Sequence, residues 1–138
     1  MVSGAPGDVL GLGDEDWSNR VGDAAAEAVF RLAVAGFWRL ATGWVPGDSI
    51  AFLSAGSVSL RSPAGVGPYL ELLASADAKT VKNRIHLDVA PEQGEDPVAA
   101  VAALRAAGAV PADVGQGAAS WTVLADPEGS EFCVLSPR

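Results

Sequence analysis

The sequence predicts an α+β domain in which one supersecondary unit is used twice, and three observations carry that prediction. Segments with helical apolar spacing alternate with short strand-like runs bounded by Gly, Pro and Ser. The order helix, weak strand, strand, Pro-Gly turn, strand occurs in both halves. Helix-ending Gly43 and Gly108 lie 65 positions apart, and turn residues Pro63 and Pro127 lie 64 apart. The chain is also long enough, at 138 residues with 49% hydrophobic and 19% charged, to bury a core as one domain.

Residues 1–22, rich in Gly and Asp, read as a mobile tail, ending in a short extended piece around Trp17 to Val21. Asp23 can cap the first helix by accepting a first-turn N–H. Ala26, Val29, Phe30, Ala33, Phe37, Leu40 and Ala41 recur at helical spacing, and Glu27 can pair with Arg31. The alternation Phe30, Leu32, Val34 leaves a strand there as another option. Gly43 supplies the left-handed residue that stops the helix.

Beyond Pro46-Gly47 the pattern becomes strand-like: Ser49 to Ser54, Ser57 to Ser62, Pro68 to Ser75, then Arg84 to Ala90. In the last of these Ile85, Leu87 and Val89 share one face, His86 and Asp88 the other. Asp96-Pro97 opens the second helix, whose stripe is Val98, Val101, Ala102 and Leu104 or Arg105, and Gly108 closes it. Ala109 to Val114 is a weak strand that Pro111 confines to a sheet edge. Trp121 to Ala125 and Ser130 to Leu135 are stronger strands joined by the turn Asp126-Pro127-Glu128-Gly129, which corresponds to Ser62-Pro63-Ala64-Gly65. The domain is thus read as 23–138, with halves of about 23–78 and 82–138.

Charge and composition exclude several functions. A formal net charge of −8 gives no broad attraction to nucleic acid or anionic lipid, and the basic cluster Lys79, Lys82, Arg84 reads as a solvated linker. The single cysteine, Cys133, forbids an intrachain disulfide and any CxxC metal motif. The most apolar stretch, Ala24 to Trp44, holds Glu27, Arg31 and Arg39, too many charges for a membrane span. With no signal-like start, the expectation is a cytoplasmic protein. No phosphate-binding glycine loop and no GxSxG is present, and His86 is the only histidine.

The run Lys79-Thr80-Val81-Lys82-Asn83-Arg84-Ile85-His86-Leu87-Asp88, with Trp121-Thr122-Val123-Leu124-Ala125-Asp126-Pro127-Glu128-Gly129 and Glu131-Phe132-Cys133, resembles the glyoxalase-like branch of the vicinal oxygen chelate superfamily. Phe37-Trp38 and Thr42-Gly43-Trp44 are similar to the helix end in that branch's first half. The resemblance covers roughly residues 31–138. It implies two βαβββ modules whose curved mixed sheets enclose a shared cavity, although Gly22 to Ala28 reads as helix where the first strand is due.

The resemblance also implies metal ligands on the first and last strands of each module. Carried over by position, these are Glu71, His86 and Cys133, and the first-half partner of His86 is no histidine. Such a set could hold Zn, Ni, Mn or Fe and stabilise an enolate or alkoxide. Yet the family usually has a carboxylate where Cys133 stands, and cysteine is often a buried small apolar residue. Glu131, on the strand face of Cys133, is a candidate acid or base, or else a solvated edge carboxylate. Asp88 and Trp121 are candidates for the cavity wall, with Trp38 and Trp44 read as core rather than ligand-stacking residues. The expectation is therefore a small-molecule-binding protein without a complete metal site and without a cofactor. The alternative is a metal-dependent lyase, isomerase or dioxygenase, and a third reading is an interaction module working as a homodimer.

Overall fold

The structure, a computed structural model, describes residues 33–47, 57–73, 75 and 77–137. Four readings made from the sequence lie outside them: the 1–22 tail, the Asp23 cap, the Glu27–Arg31 pair and the strand Ser49 to Ser54.

Helix α1 occupies 33–42 of the described chain. It buries Val34, Phe37 and Trp38, with Ala41 packed against them, an i, i+3, i+4, i+7 face. The stripe read from the sequence is rotated from this one, since Ala33 faces out and Leu40 is 53% exposed. Val34 is helical, and Phe30 and Leu32 of the alternative strand lie outside the described residues. The helix stops where expected. Thr42 donates its hydroxyl to the Trp38 carbonyl (2.7 Å) and accepts from the Trp44 N–H (3.1 Å), and Gly43 takes φ +67°.

A three-stranded antiparallel sheet follows, in the order β1 (Val45–Pro46), β2 (Ser57–Arg61), β3 (Tyr69–Leu73). Val45–Pro46, the first strand among the described residues, is one the sequence reading did not single out. Its proline sits on the edge strand, where a missing N–H costs least. Pairing of Ser59 with Glu71 and Leu60 with Leu70 puts Val58, Leu60, Leu70 and Leu72 on one face, and these pack in the core.

The second half runs β4 (Leu87–Val89), α2 (Pro97–Ala106), β5 (Val110–Pro111), β6 (Thr122–Ala125), β7 (Glu131–Val134). Its sheet is mixed, ordered β4-β7-β6-β5, with β4 parallel to β7 and the other pairs antiparallel. Pro111 lies on the edge strand as the sequence predicted. Asp96 caps α2 by accepting the Val98 N–H (2.9 Å) ahead of Pro97. Ala109 N–H to Leu104 C=O (3.0 Å) and Gly108 N–H to Arg105 C=O (3.1 Å) close its end around Gly108 at φ +109°. Leu104 is buried and Val101 half-buried, whereas Val98 is 74% exposed: the first turn overhangs the sheet, so only the later turns of the expected stripe reach it.

Both Pro-Gly turns are built alike. Gly65 N–H reaches the Ser62 carbonyl and Gly129 N–H the Asp126 carbonyl, each at 2.9 Å. The side-chain oxygen of the opening residue accepts the third residue's N–H, from Ala64 at 3.3 Å and from Glu128 at 2.9 Å. The core joins the halves through an aromatic cluster in which Phe37, Trp38 and Phe132 meet edge-on, with ring centroids 5.3–5.7 Å apart. No helix among the described residues is long and apolar enough to cross a membrane.

Candidate functional site

Among the described strands β3 ends the first sheet and β4 the second, and a cleft of about 280 Å³ is lined by both. Leu70, Glu71, Leu72 and Leu73 all border it, so both faces of β3 contribute. Val34 and Trp38 of α1, Asn83, Ile85, Leu87, and Asp126, Glu128, Ser130 and Glu131 complete its described lining. A second cleft of about 300 Å³ lies between the end of α1 and α2. It is walled mainly by short apolar side chains such as Ala41, Ala100 and Ala103.

Ile85 and Leu87 border the first cleft, whereas His86 and Asp88 are not among its described lining. Asp88 pairs with Cys133 across β4 and β7, and His86 Nδ1 lies 4.0 Å from Cys133 Sγ. The structure brings His86 to Cys133 and pairs Asp88 with Cys133, while Glu71 and Glu131 both border the cleft. The trio Glu71, His86, Cys133 is not one donor set, and among the described residues no three His, Cys, Asp or Glu side chains converge as a metal-holding group. Burial, and then the hydrogen bond and charge of the Asp88 carboxylate, push the Cys133 thiol above its ordinary pKa.

Asp88 and Trp121 are not part of the described lining of either cleft. Trp121 is 43% exposed, because it precedes Thr122, the first residue of β6 held by the ladder. Trp38 is buried and Trp44 half-buried against the core.

Glu131 is neither a free edge carboxylate nor poised as an acid. Its Oε1 accepts from Lys79 Nζ at 2.7 Å, and its Oε2 accepts the Asn83 N–H at 3.0 Å. Those bonds, the lysine first, bring its pKa down to about 2, so it stays ionised and holds no proton to give. The same contacts correct the reading of Lys79 to Arg84 as a solvated linker: the segment is strapped to β7, and Lys82 Nζ also donates to the Val114 carbonyl (3.3 Å).

The residues that sequence reasoning missed are Asp126 and Glu128. Asp126 is 4% exposed, yet its carboxylate is fully engaged. Oδ1 accepts the N–H groups of Glu128 and Ser130, both at 2.9 Å, and Oδ2 accepts Trp38 Nε1–H at 3.0 Å. A buried carboxylate is tolerable only with such a set of donors. Glu128 stands beside it, and burial together with the Asp126 charge raises its pKa. The Asp-Pro-Glu-Gly turn marks both residues as turn formers, but nothing local announces that they face a cleft.

Comparison with known proteins agrees with this architecture. A family model described as a glyoxalase-like domain matches residues 21–135. No curated protein matches the chain. A solved glyoxalase/bleomycin resistance protein/dioxygenase family enzyme from Burkholderia phytofirmans PsJN superposes with a TM-score of 0.58 at 19% identity, over 77% of this chain and 89% of that one. A glyoxalase/bleomycin resistance protein from Albidiferax ferrireducens T118 gives 0.46 at 20% identity, over 81% and 88%. At such identities the first likeness speaks for the fold alone. A family match spanning nearly the whole length does more, and by it this α+β chain belongs to the glyoxalase-like domain family of the vicinal oxygen chelate superfamily.

Proposed function

We propose that the chain is two βαβββ modules and that it binds a small organic molecule in the cleft where they meet, with no metal held by Glu71, His86 and Cys133. The observation that carries the reading is the cleft itself, concave, lined about equally by polar and apolar groups, with walls drawn from both halves. The modular part is supported by the order helix, edge strand with Val-Pro, strand, turn, strand, which runs through 33–73 and again through 97–134. The metal-free part is supported by the absence, among the described residues, of three His, Cys, Asp or Glu side chains placed to hold one ion. The rival reading, a metal-dependent lyase, isomerase or dioxygenase, draws on the one pair of donors that does meet, His86 and Cys133.

The test is a fragment titration followed by amide NMR, with chelator present and with fragments of all three charge types. Shifts gathered at Leu72, Asn83 and Ser130 are the expected result. Metal analysis of protein purified without affinity tag or chelator runs beside it. Stoichiometric metal that disappears in both His86→Ala and Cys133→Ala would transfer the case to the enzyme, and silence of the cleft amides toward every fragment would end the binding reading.

A further inference from the structure

The cleft also indicates how its ligand is recognised, an inference that rests on the cleft being the ligand site. Two neutral polar residues, Asn83 and Ser130, border it, and both are half-buried. Their main chains are pinned by carboxylates. Asn83 donates its backbone N–H to Glu131 Oε2 (3.0 Å). Ser130 donates its own to Asp126 Oδ1 (2.9 Å), and its carbonyl accepts the Asp126 N–H (2.9 Å). Glu131 directly follows Ser130 in the chain, so its bond to Asn83 brings the two neutral residues to one place in the cleft. The carboxylates themselves are occupied: Asp126 accepts from three donors, and Glu131 also holds Lys79. The two side chains they position are not. Among the described residues neither the Asn83 carboxamide nor the Ser130 hydroxyl has a hydrogen-bond partner.

We infer that Asn83 and Ser130 select the ligand, and that it is a neutral molecule carrying a primary amide or lactam on an apolar body. In those groups the N–H and C=O lie on one edge. A carboxamide offers its own C=O and NH2 side by side, so it answers such an edge with two hydrogen bonds, and the serine hydroxyl can give or take one more. Leu72, Ile85 and Leu87, which also border the cleft, take the apolar body. Because the main chain at each of the two residues is already fixed, little ordering cost is left for binding. A ligand without the amide displaces water from these half-buried groups and gives nothing back, which makes the pair selective.

Benzamide, acetophenone and benzoate share one shape and separate the terms: the amide donates and accepts, the ketone only accepts, and the carboxylate adds a charge. Each is titrated into the full chain and followed at the Asn83 and Ser130 backbone amides and at the Asn83 side-chain NH2 pair. Benzamide is expected to bind about fivefold more tightly than acetophenone, the scale of one net hydrogen bond, and more tightly than benzoate. Asn83→Ala should bring amide and ketone to equal affinity, and Ser130→Ala should remove part of the difference. Both variants keep the backbone N–H that Glu131 or Asp126 accepts and lose no described side-chain bond. Their midpoints in urea should therefore stay near the parent's, so that lost binding is not lost structure. Equal affinity for benzamide and acetophenone in the parent, a preference for benzoate, or an advantage that survives Asn83→Ala overturns the amide reading while leaving a cleft that binds. No shift with any of the three probes overturns the cleft as well.

Discussion

At the scale of the residue, Asp126 is the most consequential side chain in the structure. Its two oxygens do different things: Oδ1 organises the turn into β7, and Oδ2 reaches α1 through Trp38, 88 positions away in sequence. An asparagine has one acceptor where aspartate has two. Asp126→Asn must leave either the turn amides or the Trp38 N–H without a partner in a buried place, at a cost of about 1–3 kcal/mol. Pairing it with Trp38→Phe, which removes the indole donor, should recover part of that loss in urea unfolding, so the two losses should not add. Strict additivity would mean that the Trp38–Asp126 bond contributes nothing. Half of this residue's role was legible. Asp126-Pro127-Glu128-Gly129 announces a turn because the capping oxygen, the proline and the glycine act within four residues. The bond to Trp38 left no local trace, since nothing in the turn depends on which helix lies beneath it.

At the scale of the element, the same division holds. The stop of α1 at Gly43, the Asp96-Pro97 start of α2 and the edge placement of Pro111 each follow from the backbone chemistry of one or two residues, and each was readable. The strap formed by residues 79–83 was not. It depends on Glu131, which is 52 positions from Lys79. The face chosen by β4 was also beyond the sequence: alternation separates Ile85 and Leu87 from His86 and Asp88, but only the fold says which pair meets the cleft. The strap has a pH signature. Glu131 has its pKa lowered from 4.5 to about 2, so the stabilisation it gives is complete above about pH 4.5 and is lost as pH falls toward 2. The Asn83 amide shift should therefore titrate with a midpoint near 2, and Glu131→Gln should abolish that titration. A midpoint at the ordinary carboxylate value would show that the strap does not grip.

At the scale of the whole molecule, the question is whether the halves are two folding units or one. Their sheets are separate, with no described strand shared between them. What joins them is the cluster in which Phe132 of β7, fully buried, meets Phe37 and Trp38 of α1, while Leu60 of β2 and Leu124 of β6 complete the same core. A small sheet with one covered face is marginal alone, so each half leans on apolar surface the other supplies. Phe132→Ala should then cost about 3–5 kcal/mol, the usual penalty for emptying a buried aromatic site. The cost should also be felt by both halves. Native-state hydrogen exchange should show the slowest amides of β2 and β6 losing protection by the same amount, because both open only in the global transition. Loss confined to β6 would mean that the first sheet survives without its neighbour, and the cleft would then lie between two independently stable bodies rather than inside one cooperative core.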